Sequence, residues 1–317
     1  MTQQSAAEYL AHGQTPFFRL PVVGDGNAVP AGVHAAFVGV PHDAGVTYQP
    51  GARLAPFHLR RVSALVQGYH PGHRFDVFAK AGAVDAGNIV FPPFDREAMR
   101  GAVEKHAATL WANAVVPFVV GGDHSITLPL LRAARAQFGP LAVIHVDAHF
   151  DTSGPEIWGD AFHHGTPMRH ALTEGLIERG QLYQIGIRGP QSSTLDVQFG
   201  AGYDARVYTA NDVALRGTLA VAHEIRAAVG TRSAYVSFDI DAVDPAFAPG
   251  TGTPVPGGLT SREALQLLGG LAGINLVGMD LVEVCPALDH ADMTVNLGVH
   301  LLFEGLALAV LGSAQRL

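Results

Sequence analysis

Residues 145–151 read His-Val-Asp-Ala-His-Phe-Asp. In an extended segment successive side chains alternate faces, so His145, Asp147, His149 and Asp151 share one side and Val146, Ala148 and Phe150 the other. The apolar run 141–144 precedes them, so the segment reads as a core strand whose end becomes a row of imidazoles and carboxylates. Burying such a row unpaired costs several kcal/mol per ion, and a bound cation is the simplest compensation. A polar strand end fraying into water is the bland alternative, but it does not require four ligand-type side chains in strict alternation.

Two further segments have the same character. Tyr235-Val-Ser-Phe-Asp-Ile-Asp241 is an apolar run ending in alternating carboxylates, Asp239 and Asp241, with Asp244 following in a Pro/Gly-rich loop. The run 115–120 leads into Gly121-Gly-Asp-His-Ser125, where the glycines permit a tight turn and His124 stands at the mouth of the next helix. His124, Asp147, His149, Asp151, Asp239 and Asp241 thus fall at the carboxyl ends of expected strands, where open parallel α/β sheets bind ligands. Six ligands exceed the four of an ordinary zinc site. Two cations fit better, with two Asp bridging a pair about 4 Å apart. Hard oxygen with some imidazole and no thiolate suits Mn²⁺, and Ni²⁺ or Co²⁺ can occupy the same set.

The elements that must position these residues alternate along the chain. Short apolar runs at 35–40, 83–85, 115–120, 141–146, 183–187, 207–208, 235–239 and 276–282 read as strands. Between them lie helical patterns at 96–114, 128–138, 167–174, 218–228 and 261–270, the last opened by the capping-box pattern Thr260-Ser-Arg-Glu263. Strands apolar on both faces and alternating with helices imply an α/β fold with a mainly parallel, helix-covered sheet.

Composition narrows the classes. Twenty Lys and Arg against 28 Asp and Glu give a net charge of −8 with no basic cluster, which argues against nucleic-acid partners. The single Cys285 allows no intrachain disulfide, fits a reducing cytosol, and reads as a small buried side chain rather than a reactive thiol. Residues 1–15 lack the basic-then-apolar order of a secretory signal, and the late apolar stretch 301–311 contains Glu304 and is too short to span a bilayer. The expectation is a cytoplasmic protein with no membrane partner. A mean hydropathy of +0.20 without such a span points to apolar surface buried between subunits of a homo-oligomer.

Gly121-Gly-Asp-His-Ser125, Asp147-Ala-His-Phe-Asp151 and Ser237-Phe-Asp-Ile-Asp-Ala-Val-Asp-Pro245, with His163-His-Gly-Thr-Pro167 and Val282-Glu-Val284, resemble the ureohydrolase family of arginases and agmatinases. Phe247-Ala-Pro-Gly-Thr-Gly-Thr-Pro254 and Gly257-Gly-Leu-Thr260 are closer to its agmatinase branch. The resemblance implies a three-layer αβα sandwich on an eight-stranded, mainly parallel sheet, and one domain over residues 1–317. It also implies trimers or hexamers, with residues 1–33 as an extension packing at a subunit interface. It assigns Asp147 and Asp239 as bridges between two Mn²⁺, with His124 and Asp151 completing one site and His149 and Asp241 the other. His145 is not carried over, and either ligation or a packed, indirect role remains open for it. The implied reaction hydrolyses a small guanidino compound to urea and an amine. Asp151 would orient the attacking water and His164 would carry the proton to the leaving amine, with His163 as the alternative. Glu283 would pair with the guanidinium, and His163 and Trp158 would touch the substrate. Phe150, Gln49 and Asn88 depart from the common pattern, and Gln49 is expected to border the pocket mouth.

Two other classes compete. A histone-deacetylase-like zinc amidohydrolase needs only one Asp-His-Asp site, which leaves His124 and Asp151 without a purpose. An inactive metal-binding paralogue should lack a ligand, His164 or Glu283, and all are present. For the substrate, Glu156, Asp160, Trp158 and Phe162 in one expected mouth loop and Asp43 in another favour a cationic or neutral tail. Arg53 and Arg188 lie just beyond those loops, within possible reach. Agmatine ranks first, guanidinobutyrate or guanidinopropionate second, and unusual guanidines or biguanides stay open through Gln49.

Overall fold

The computed structural model describes residues 15–23, 30–191 and 193–313. Its strands are β1 (Ala35–Gly39), β2 (Tyr69–His70), β3 (Phe75–Asp76), β4 (Ala83–Asn88), β5 (Val116–Val120), β6 (Leu141–Val146), β7 (Ile177–Ile187), β8 (Arg206–Thr209), β9 (Ser233–Asp239) and β10 (Asn275–Val282). β2 and β3 form a small antiparallel pair, and the other eight make one sheet in the order β4-β1-β5-β10-β9-β6-β7-β8. Every pairing in that sheet is parallel, as strands buried on both faces require. All eight expected strands are present.

Side-chain alternation distributes the strands between two cores. Phe37, Phe118, Ile144, Val146, Phe238 and Leu281 belong to one, packed under the helices Ala55–Ser63, Thr218–Val229, Ser261–Gly270 and Met293–Ser313. Val38, Val119, Val143, Tyr235 and Val277 belong to the other, under Arg96–Ala112, Thr127–Phe138 and Pro167–Thr173. This is the three-layer sandwich, and each buried Leu, Ile, Val or Phe contributes about 1.5–3 kcal/mol. The capping box at Thr260 and Glu263 forms in both directions.

Two expectations change, on the C-terminal helix and on the extent of the ligand strand, and part of the N-terminal extension is placed. The C-terminal helix runs Met293–Ser313, and its Met293–Gly312 stretch is long and apolar enough to cross a membrane by length and composition. Reading 301–311 alone made it too short, because Thr294, Asn296 and His300 hid an apolar face that starts earlier. The helix is 72% buried within that stretch, and Gly305 abuts Met279 and Phe118 of the sheet, so it is a core helix here. At the other end, Phe17 and Phe18 are buried against Phe37, and Val22 bridges to Asp85 beside β4. Residues 15–23 therefore pack on the chain's own core; residues 1–14 and 24–29 of the expected extension lie outside the described residues. Finally, the strand β6 stops at Val146, so the row 145–151 is not extended throughout.

The register of the central strands places the chemistry. β5, β10, β9 and β6 are adjacent, and Val146 pairs with Phe238 while Val282 pairs with Asp239. Asp147, Asp239 and Glu283 therefore leave the sheet at one level, and β5 delivers His124 beside them through Gly121-Gly122. A Cβ on Gly122 would overlap the His42 carbonyl, so only glycine lets the two loops pass. Gly122→Ala is expected to cost about 1–3 kcal/mol or more by overpacking. Thermal melts, with metal content measured beside them, should show loss of both; an unchanged melt would show that the His42 loop yields.

Candidate metal centre and pocket

β5 ends in a turn capped by Asp123, which accepts from Ser125 N at 2.9 Å and from Gly45 N at 2.7 Å. The turn sends His124 inward, where its environment decides its tautomer. Asp280 of β10, fully buried, accepts from Ser237 Oγ at 2.7 Å, Thr127 Oγ1 at 2.9 Å and Tyr235 Oη at 3.0 Å. Burial pushes the Asp280 carboxyl up, against these three donors. With its hydrogen given to Asp280, Ser237 Oγ accepts from His124 Nε2 at 2.8 Å. Nδ1 of His124 is left with a free lone pair.

That lone pair faces three carboxylate oxygens: Asp151 Oδ2 at 2.9 Å, Asp147 Oδ2 at 3.1 Å and Asp239 Oδ2 at 3.2 Å. Although close, His124 Nδ1 and Asp151 Oδ2 have no hydrogen-bond partner and are buried. Their lone pairs converge on a shared point instead of on a hydrogen. Ligands about 2.1 Å from one octahedral ion stand about 3 Å from each other, which matches these separations. Beside this group, His149 Nδ1 lies 3.0 Å from Asp241 Oδ2 and 3.4 Å from Asp147 Oδ1. Asp147 therefore faces both groups, and the donor set fits two cations sharing it.

Electrostatics point the same way. Burial alone would lower the His149 pKa, but Asp241 and Asp147 outweigh it and raise it to about 12. His124 is raised well above the usual histidine value against the same burial penalty, by Asp151, Asp147 and Asp239. Burial, then Asp241 and Asp147, push the Asp239 carboxyl up. Protons here answer an excess of buried negative charge that cations would otherwise balance.

His145 is settled by its second nitrogen. Gln184 Nε2 donates to Phe150 O at 2.7 Å and lies 3.2 Å from His145 Nδ1, so that nitrogen accepts. His145 Nε2 then carries the hydrogen and donates to Asp147 Oδ2 at 2.8 Å. The ring orients Asp147 rather than offering a lone pair.

The turn after the ligands is strained. Asp151 has φ 54° and Glu283 φ 61°, left-handed values uncommon outside glycine. Two amides at the start of the helix Pro167–Thr173, Met168 N and Arg169 N, hold the Asp151 carbonyl at 3.0 and 3.1 Å. Glu283 N donates to Gly122 O at 2.9 Å. Its side chain is buried, and Oε1 accepts from His124 N at 2.8 Å and meets His164 Nδ1 at 3.0 Å. Burial disfavours a charged His164 ring, but the Glu283 carboxylate overcomes this and raises its pKa to about 9. At Nε2 the partner is Thr47, with Oγ1 at 2.8 Å and its amide at 3.2 Å. The amide donates to Nε2, so that nitrogen accepts here; on protonation the amide contact is lost and the hydroxyl, which can accept as well as donate, remains its partner.

A cavity of about 220 Å³ opens over these groups, with His149, Asp151, Asp239, Asp241, His163, His164 and Trp158 in its wall. His163 Nε2 is buried and unpartnered. Much of the expected mouth chemistry lies elsewhere. Asp160 is held by Arg96 at 2.6 Å, and Phe162 stacks on His170. Glu156 is exposed and outside the wall, and the loop 42–51 contributes Thr47 to it, not Asp43 or Gln49. Arg53 is paired with Asp43, while Arg188 donates to the carbonyls of Gly186, Asp241, Ala242, Val243 and Val255, so neither reaches in. Asn88 accepts from Arg60 at the sheet edge, and Cys285 is buried with Sγ 3.6 Å from Pro50 O. Sequence reasoning gave no role to Asp280, Gln184, Thr47 or Asp196, of which Thr47 and Asp196 are wall residues, nor to Ser237, although it stands inside the Ser237–Pro245 motif.

A second His/Glu group, His70, His73 and Glu304, lies outside this site. There His70 Nδ1 accepts from His73 N at 3.0 Å, so Nε2 keeps its hydrogen for Glu304 at 2.7 Å and has no lone pair for a metal.

The family model for the arginase family matches residues 33–307. The chain belongs to the arginase family. Proclavaminate amidinohydrolase from Streptomyces clavuligerus is 42% identical, over 92% of this chain and 94% of its own. Its solved structure superposes with a TM-score of 0.88, covering 94% of this chain and 98% of that one. Mitochondrial agmatinase from Gallus gallus is 38% identical over 94% of this chain and 87% of its own. Guanidinopropionase from Pseudomonas aeruginosa is 39% identical over 96% and 94%. The chain is thus an amidinohydrolase, hydrolysing the C–N bond of a guanidino group, in a metal-dependent family.

In this arginase-family chain the Asp280–Ser237–His124 relay should tune metal affinity. Ser237→Ala is expected to weaken binding at the His124 site by about 10–100-fold, as loss of such outer contacts does. Calorimetric metal titration reads this, and unchanged affinity in the variant would remove the relay from the metal's account.

Proposed function

We propose that the protein is a dinuclear Mn²⁺ hydrolase that converts agmatine to urea and the corresponding diamine. The observation that carries the chemistry is the convergence of unpartnered His124 Nδ1 and Asp151 Oδ2 with Asp147, which faces both ligand groups. Asp147 and Asp239 would bridge, His124 and Asp151 would complete one site, and His149 and Asp241 the other. Divalent cations held there supply a water acidified towards neutral pH. Asp151, a ligand through Oδ2, would orient the attacking water by a hydrogen bond to its carboxylate. Glu283 holds the His164 ring through Oε1, which leaves Oε2 for the guanidinium. His164 delivers the proton from Nε2 to the departing amine, with Thr47 holding the ring nitrogen before and after. His163 and Trp158 line the wall along the substrate.

For the tail, support comes from the arginines: the wall contains no Lys or Arg among the described residues, and Arg53 and Arg188 are engaged elsewhere. An anionic tail would therefore enter without a cationic partner. A guanidino-acid substrate is the second reading, favoured by the unpartnered His163 Nε2, which can donate to a carboxylate. We further propose a cytoplasmic homo-oligomer, trimer or hexamer, which light scattering at micromolar concentration tests: a monomer there overturns it.

Two experiments test the reading. Asp147→Asn should abolish turnover and remove metal, and His164→Asn should retain two metals per chain while kcat falls by about 10²–10⁴, the range for a lost proton-transfer group. One tightly bound metal in fully active enzyme would overturn the dinuclear assignment. On substrate, kcat/KM for agmatine should exceed that for guanidinobutyrate; a preference of about tenfold for the acid, about 1.4 kcal/mol, would overturn agmatine.

A further inference from the structure

Asp196 is a buried carboxylate without a structural task. It belongs to the helix Thr194–Ala201, is 4% exposed, and lines the cavity over the metal ligands. Its Oδ1 is buried with no hydrogen-bond partner. Ser193-Thr-Leu-Asp196 has the pattern of a capping box, in which the acid would reach back to the Ser193 amide. The structure does not use it so: Ser193 Oγ accepts from Leu195 N at 3.1 Å, and the return bond is absent. The cation beside it, Arg169, is engaged, donating to Thr152 O at 3.0 Å and lying 4.3 Å over the Phe199 ring. Leaving a buried carboxylate unpaired costs several kcal/mol, so such a group in a substrate cavity calls for a cationic ligand.

Its position is fixed relative to the reaction. Thr152, next to the ligand Asp151, donates Oγ1 to the Asp196 carbonyl at 2.8 Å, which couples the start of this helix to the metal loop. Trp158 and Pro190 contribute apolar wall to the same cavity, suited to a methylene stem. Burial raises the Asp196 pKa, with Glu156 and Asp151 adding to it against Arg169, so a cation arriving there gains by keeping the carboxylate charged.

We infer that Asp196 is the specificity-determining residue of this enzyme, receiving the ammonium at the far end of an ω-amino guanidine. This rests on the amidinohydrolase reading above and adds the contact that selects among its substrates.

The test uses metal-loaded full-length enzyme and Asp196→Asn, with metal content and melting temperature as controls for folding. Urea release is measured on agmatine, on butylguanidine with its neutral tail, and on guanidinobutyrate. The variant should lose about 30-fold or more in kcat/KM on agmatine, mainly through KM, as expected when one partner of a buried charge pair is removed. Butylguanidine should be unchanged and guanidinobutyrate should improve. Asp196→Glu should restore a preference for the amine, shifted to a shorter methylene chain. Equal losses on all three substrates would make Asp196 a support of the metal loop, and undiminished agmatine turnover would remove it from recognition; either overturns the inference. Calorimetry with 1,4-diaminobutane supplies a readout independent of turnover. If wild type releases no urea from any substrate, the parent reading fails. Diamine binding lost in Asp196→Asn would still support the cation site, and binding that is absent or unchanged would overturn it.

Discussion

Four carboxylates converge at the carboxyl ends of adjacent parallel strands, and the rest of this molecule is arranged around the cost of keeping them there. Asp147, Asp151, Asp239 and Asp241 are all nearly inaccessible to water, and imidazoles, a few backbone amides and the Thr253 hydroxyl answer them among the described residues. Mutual repulsion at this range in a low-dielectric interior is worth several kcal/mol, enough to displace the residues if the backbone were soft. A central strand is not soft. β6 and β9 are hydrogen-bonded on both sides and buried on both faces, so the aspartates that follow them cannot retreat. The sheet supplies the rigidity, and the cations implied by the ligand spacing supply the compensating charge.

The layers behind the ligands serve the same end. His124 is turned by a chain that ends on Asp280, with three hydroxyls converging on one carboxylate. His145, which alternation alone places in the ligand row, is instead held by Gln184 so that it donates to Asp147. Both arrangements fix which atom of a ligand is free to bind, and both consist of residues from different strands. Strain fits this picture too: the carbonyl of left-handed Asp151 is held by two amides of the helix Pro167–Thr173, and the amide of left-handed Glu283 is held by the Gly122 carbonyl.

What was legible in the chain follows from range. Each strand announced itself as an apolar run, and the ligands were visible because they cluster in short stretches at or just past strand ends, which is a local property even though β6 stops at Val146. The strand order and register were not local, and the shared level of Asp147, Asp239 and Glu283 came only with the fold. The pocket mouth was misread for the same reason. Asp160 and Asp43 are expected to charge the mouth but are held by Arg96 and Arg53, and Arg188, expected within reach of the mouth, is bound by five carbonyls. Asp196 carried no local mark of a ligand site: Ser193-Thr-Leu-Asp196 has the spacing of a capping box, which the folded chain does not form.

This division explains why the reaction class is firmer than the substrate. The metal ligands sit at or just past strand ends, where a change of one residue meets the whole sheet, and His164, from the loop before the helix Pro167–Thr173, is held by Glu283 just past the end of β10. The rest of the cavity wall includes residues of the loop 152–163 and of the start of the helix Thr194–Ala201, where exchange disturbs little. Relatives at 42, 38 and 39% identity carry names that refer to proclavaminate, agmatine and guanidinopropionate, so overall similarity does not separate their substrates. Discrimination must reside in a few side chains of the cavity wall. In such a wall an unpaired carboxylate has more leverage than any apolar residue, because burying a charge without its partner is penalised more steeply than leaving a methylene poorly packed.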